Sequence, residues 1–167
     1  MVEAGVLEES EHVELVNGEL VVVNPQGPVH RTLTTIVRRL LEAAYGPGFF
    51  VQDHSPVAGT ADSIPEPDNA VVRGEPRQFF GRHPGPADVV LVVEHAYSSL
   101  ALDRTKANIY ATVGYGDYWI VDPNNRRVEV RRAPKDGLYT HTDIVDEHAT
   151  LKLPQSDKTI AVRDLLP

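Results

Sequence analysis

Two short β-type runs, 12–16 and 19–23, flank Asn17-Gly18, a pair favoured by two-residue type I′ hairpin turns. Leu33, Ile36, Val37, Leu40, Leu41 and Ala44 then share one stripe of a 3.6-residue period, which predicts a helix over 29–45. YGPG (45–48) ends it, because glycine accepts positive φ and proline cannot continue a helix. FFVQDHSPV (49–57) and DNAVVR (68–73) read as strands. In DVVLVVEHAY (88–97) the unbroken apolar run Val89 to Val93 is the pattern of a strand buried on both faces. Ser98 or Ser99 can cap a helix running to about Val113, and Gly114 stops it. DYWIVD (117–122) is a buried-type strand, and RRVEVRR (126–132) alternates and pairs with it across DPNN. LYTHTDIV (138–145) and ATLKL (149–153) read as short, edge-like strands. Apart from that strand at 68–73, residues 58–87, rich in proline and glycine, read as loop of the kind that is functional or mobile. This order predicts one α/β (α+β) domain over residues 1–167, with a mixed central sheet flanked by helices and an N-terminal hairpin.

The apolar run at 89–93 ends on an ionisable group, Glu94. Burying a carboxylate there without a partner costs several kcal/mol, so the partner is the question. Strict alternation puts Asp88, Val90, Val92 and Glu94 on one face and Val89, Leu91 and Val93 on the other. On the following helix, Leu102, Ile109 and Val113 cluster within about 60° of Lys106, with Asp103 and Tyr110 on its other side. Lys106 therefore lies within the stripe that should face the sheet. It can snorkel to water or meet an acid on the sheet, and Glu94 is the nearest candidate. A second acid, Asp68, opens a strand that should pair near 88–94, and Pro65 and Pro67 stiffen the approach to it. Two neighbouring carboxylates repel unless they share a proton or bind a divalent cation. Mg²⁺ prefers one or two carboxylates with water and substrate phosphate.

Composition narrows the choice. At 41% hydrophobic and 24% charged residues the chain can bury a sizeable core. It contains no cysteine, which removes disulfides, thiolate zinc sites and cysteine nucleophiles. The first thirty residues carry six glutamates and no lysine or arginine, unlike a secretory leader, and no apolar run could span a membrane. A cytoplasmic protein is the expectation. The net charge of −8 opposes nucleic-acid binding overall. Even so, Arg73, Arg77 and Arg82 lie together with two phenylalanines, and Arg126, Arg127, Arg131 and Arg132 form a second basic cluster. A homodimer that gathers these strips in one cleft would reduce the conflict.

PEPDNAVV followed by DVVLVVEHAYSSLALDRTKANIYATVGYGDYWIVD resembles the Uma-type family of restriction endonucleases, within the PD-(D/E)XK nuclease superfamily. VELVNGELVV, His30 before the first helix, and the run Lys106, Tyr110, Gly114, Tyr118, Trp119, Val121, Asp122 also match its pattern. The resemblance covers roughly residues 12 to 132. It implies a restriction-endonuclease-like fold, with Asp68 and Glu94 as carboxylates for Mg²⁺ or Mn²⁺ and Lys106 as the catalytic lysine. Glu14, His30 and Tyr110 are secondary candidates, and DNA is the implied substrate. The superfamily's usual lysine, two residues after the acid, is replaced here by Ala96, and EHAYSS departs from the more frequent EVLSPS.

Other chemistries lack support. There is no HExxH, the seven histidines show no ligand spacing, and no phosphate-binding loop or Gly-x-Ser-x-Gly elbow occurs. The rival to the nuclease is a non-catalytic accessory or binding module in which Glu94 and Lys106 form only an ion pair. Trp119 and Tyr118 read as core, and Asp122 as the cap of the turn before Pro123.

Overall fold

A computed structural model describes residues 13–16, 18–22 and 27–167. Strands β1 (Val13–Val16) and β2 (Glu19–Val22) pair antiparallel with Val16 opposite Glu19. Gly18 takes φ +78°, as the hairpin turn requires. Asn17 and the outer ends of the expected runs, residues 12 and 23, lie outside the described residues. Helix α1 (Pro28–Tyr45) starts on a proline, which has no N–H to leave unpaired in the first turn, and buries Leu33, Val37 and Leu41 along one stripe.

Strands β3 (Phe49–Asp53), β4 (Asn69–Arg73) and β5 (Val89–His95) follow, with a 3₁₀ turn at Pro76–Phe79 before β5. Helix α2 (Leu100–Val113) then leads to β6 (Asp117–Asp122), β7 (Arg127–Lys135) and β8 (Leu138–Asp146). These six strands form one sheet in sequence order, antiparallel except for the parallel β5–β6 pair that α2 connects. The expected mixed sheet is therefore present, with β8 at one edge. The 149–153 run becomes β9 (Thr150–Lys152), which pairs instead with β10 (Thr159–Ala161) in a separate ribbon. β10 is no shorter than β9, but the chain around it, DKTIAV, lacks the clear polar–apolar alternation of ATLKL.

Two apolar layers sandwich the sheet. Val37, Leu41 and Tyr45 of α1 pack with Val51, Val71, Leu91, Val93, Trp119 and Val121. Ala107 and Tyr110 of α2 pack with Ala70, Val72, Val92, Tyr118 and Ile120. Alternation along β5 holds from Leu91 onward but breaks before it, since Val89 joins the α2 layer and Val90 the α1 layer. The cause is a bulge: Val71 pairs with Leu91 but Val72 pairs with Val89, so Val90 is an extra residue on β5.

Much of the 58–87 loop is tied down. The Tyr115 hydroxyl donates to the carbonyls of Ala58 (2.7 Å) and Pro84 (3.2 Å), and the Ala58 amide donates to the Pro84 carbonyl at 2.8 Å. At Gly59 a Cβ would sit 1.8 Å from the Ser63 carbonyl oxygen, so only glycine fits. Among the described residues no helix is long and apolar enough to cross a membrane.

Candidate active site

β4 and β5 are inner strands, and Asn69 opposite Val93 sets their register. That register brings the residue before β4, Asp68, beside the end of β5. The Asp68 amide donates to Glu94 Oε2 at 3.2 Å, and the His95 amide donates to Asp68 Oδ2 at 2.7 Å. The two carboxyls are thus braced by each other's strands. From α2, Lys106 Nζ reaches Glu94 Oε1 at 3.2 Å and the Tyr110 hydroxyl donates to the same oxygen at 2.9 Å. Lys106 also pairs with Glu14 Oε2 of the hairpin at 2.8 Å. Asp68, Glu94, Lys106, Tyr110 and Glu14, expected from separate segments, lie in one buried cluster, and His30 adjoins it. Ala96 leaves the strand without a lysine, and Lys106 meets the same carboxylate from the helix.

Asp103, one turn before Lys106, is also buried. Its carboxylate accepts from the Ser99 hydroxyl at 2.6 Å, so Ser99 occupies the N-cap position but spends its side chain on Asp103 and not on a backbone amide. Tyr118 anchors this end of α2 by donating to the Asp103 carbonyl at 2.8 Å. Among the described residues, four buried carboxyls, Glu14, Asp68, Glu94 and Asp103, therefore lie near one ammonium, which touches Glu14 and Glu94.

The electrostatics follow. Glu94 is 2% exposed. Burial pushes its carboxyl well above the ordinary range; Lys106 opposes this, and Asp68, Asp103 and Glu14 add to it. Asp103 is raised to about 6, chiefly by burial, against the Ser99 hydrogen bond and Lys106. Burial works against the Lys106 charge, but Glu94 and Glu14 outweigh it and hold the ammonium protonated. Burial would raise Asp68 too, yet the His30 hydrogen bond and the neighbouring imidazoles bring it below the usual carboxylate range.

Histidines surround Asp68. His30, which lies inside the first turn of α1 and not before the helix as expected, donates from Nε2 to Asp68 Oδ1 at 2.7 Å, and His54 Nδ1 lies 3.4 Å from the same oxygen. His95 is fully buried and donates from Nε2 to Asn69 Oδ1 at 2.8 Å, while Asn69 donates onward to the Thr34 carbonyl. Burial lowers its pKa to about 4, so it is neutral and its Nδ1 carries a lone pair with no hydrogen-bond partner among the described residues. The seven histidines lack ligand spacing in sequence, and the fold nonetheless gathers three of them. His54 had no local signal. Asp103 had one: it stands three residues before Lys106 on the same helix face.

The donor set fits a divalent cation. Carboxylate oxygens carry two lone pairs each. Glu94 Oε2 accepts one weak bond here, Asp68 Oδ1 faces two imidazoles, and among the described residues the buried acids of the cluster outnumber its one lysine. Elsewhere the expected basic strips are largely engaged. Arg82 pairs with Asp88, Arg126 with Glu147, Arg127 with Asp122, Arg131 with Glu129 and Arg132 with Asp143. Asp122 also caps its turn, accepting from the Asn125 amide at 3.2 Å.

The model of the Uma2 family, described as "Putative restriction endonuclease", matches residues 3–161. The chain belongs to the Uma2 family. Its fold is also that of a solved structure from Anabaena variabilis described as "a putative nuclease belonging to DUF820". The two superpose with a TM-score of 0.75 at 16% identity, over 98% of this chain and 94% of that one. At that identity the likeness shows the fold alone. No curated protein matches the sequence. Within this Uma2 chain the motif residues fall at the junction of β4, β5 and α2, where the buried charge is concentrated.

Proposed function

We propose that this Uma2 protein, acting as one domain over 1–167, is a divalent-metal-dependent endonuclease that hydrolyses phosphodiester bonds in DNA. The excess of buried carboxyls over cations at the ends of β4 and β5 carries the reading, because a bound dication relieves that excess. Asp68 and Glu94 would hold Mg²⁺ or Mn²⁺, which lowers the pKa of an attacking water and offsets charge on the scissile phosphate. The chain's own groups do the positioning. The His95 amide and His30 orient Asp68. Lys106 and Tyr110 orient Glu94, and the Lys106 ammonium supplies fixed positive charge beside the reacting group. For the nucleic acid, the turn after β4 presents Phe80, 99% exposed, between Arg77 and Arg82. Because the chain carries −8 overall, we further propose that a homodimer supplies the DNA cleft.

The test is cleavage of supercoiled plasmid by purified protein in Mg²⁺, Mn²⁺ or EDTA. Cutting should require the dication and fall to background in Asp68→Ala and Glu94→Ala, both shown folded by circular dichroism. Equal cutting by the variants would identify a contaminant and remove the reading. The accessory-module alternative draws on one observation: Glu94 is already closed by Lys106, Tyr110 and the Asp68 amide. It leaves Asp68 and Asp103 without a buried lysine or arginine partner, and on that ground we prefer the nuclease.

A further inference from the structure

We propose that His30, His54 and Asp68 form a mononuclear site for a first-row dication of the Zn²⁺ and Co²⁺ class, in preference to Mg²⁺. The inference rests on the nuclease reading for Asp68 as a metal ligand and departs from it in the rest of the set, putting two imidazoles in place of Glu94 and a softer ion in place of Mg²⁺. His30 Nε2 and His54 Nδ1 approach one oxygen of Asp68 at 2.7 and 3.4 Å, and one donor atom from each residue lies within 4.8 Å of the others. Tetrahedral coordination at zinc–ligand lengths places donors about 3.3–3.5 Å apart, so side-chain shifts of roughly an ångström close the set.

The three residues come from the first turn of α1, the turn after β3 and the residue just before β4, and the least regular of these segments is braced. Arg38 grips Asp53 at 2.9 and 3.2 Å, the Ser55 hydroxyl donates to the Asp53 carbonyl, and Gln52 donates to the carbonyls of Ser55 and Pro56. Between these anchors His54 sits at φ +43°, a left-handed conformation uncommon outside glycine. The backbone is thus held where it presents this imidazole to Asp68. His95 adds a third ring 5.9 Å from His30 and the buried, unpartnered Nδ1 lone pair. Asp68 is nearly covered, whereas the side chains of His30 and His54 are 20% and 31% exposed, which leaves a route in from solvent.

Two imidazoles with one carboxylate match zinc, cobalt, nickel or iron, whereas Mg²⁺ demands oxygen ligands and keeps its water. Three protein ligands also leave the open position that distinguishes catalytic from structural sites.

The experiment titrates Co²⁺ into the full, EDTA-stripped and desalted chain, read by visible absorption and calorimetry. One Co²⁺ per chain should bind with a d–d spectrum, be displaced by Zn²⁺, and survive a hundredfold excess of Mg²⁺. His54→Asn tolerates the left-handed backbone and should weaken Co²⁺ binding about tenfold or more, as should His30→Gln. A melting curve without metal establishes that each variant folds. Co²⁺ bound no more tightly than Mg²⁺, or unchanged in both variants, would overturn the site. Mg²⁺-driven plasmid cleavage with an unaltered His54→Asn rejects the histidine site and keeps the nuclease. Stoichiometric, histidine-dependent Co²⁺ binding without cleavage under any dication does the reverse.

Discussion

Lys106 is the residue on which the buried charge depends. Its ammonium touches Glu14 at 2.8 Å and Glu94 at 3.2 Å, all three side chains being nearly inaccessible. Removing one partner of a buried pair leaves an uncompensated charge, so Lys106→Met should destabilise the metal-free protein by about 3–5 kcal/mol in urea unfolding at pH 7. Adding Glu94→Gln to that variant should recover part of the loss; a neutral single variant would show that the pair contributes nothing. Asp103 gives a pH signature. With its carboxyl raised to about 6, the folded chain retains a proton between pH 4 and 6 that the unfolded chain has released. Stability therefore falls as pH rises through that window. Relative to Asp103→Asn, the wild type should lose on the order of 2 kcal/mol between pH 4 and pH 7. Parallel pH curves for the two proteins would refute the raised pKa. Lys106 was legible in the sequence because a lysine inside an apolar stripe needs an explanation. His54 was not, since its place beside Asp68 comes from a backbone turn and a register that no local pattern encodes.

At the level of elements, the hairpin is the part of the cluster that stands apart from the central sheet. It lies outside the six-stranded sheet and meets the body through Glu14, the Gly18 amide to the Asp62 carbonyl at 2.7 Å, and the Ile64 amide to the Leu15 carbonyl at 3.1 Å. Glu14→Gln should therefore speed hydrogen exchange across 13–16 and 19–22 by about tenfold or more, with the central strands unaffected. Unchanged exchange in the hairpin would mean that the backbone bonds alone hold it. The helices and inner strands could be read from period and caps because each is long enough to show one. The bulge at Val90 could not, because it depends on how β4 pairs with β5. The β9–β10 ribbon was half legible: its first strand follows the alternating run ATLKL, and its equally short partner lies in DKTIAV, where no clear alternation marks it.

For the whole molecule, charge is the organising quantity. Among the described residues the arginines largely answer acids, two of which, Asp122 and Glu129, are themselves buried, while four further buried carboxyls gather near one lysine at the end of two inner strands. The motif spacing made Asp68, Glu94 and Lys106 legible as a set; the histidines and Asp103 joined them only through the fold. A cation that binds the folded state alone stabilises it by about 2.7 kcal/mol at a hundred times its dissociation constant. The most direct measurement is the melting temperature of wild type and Asp68→Asn in EDTA and in millimolar Mn²⁺, which needs no substrate. The account predicts a rise of a few degrees for wild type, at roughly 2–4 °C or more per kcal/mol for a chain of this size, and little or none for Asp68→Asn. A wild-type melting point that ignores Mn²⁺, or an equal rise in both proteins, would contradict a cation site at Asp68.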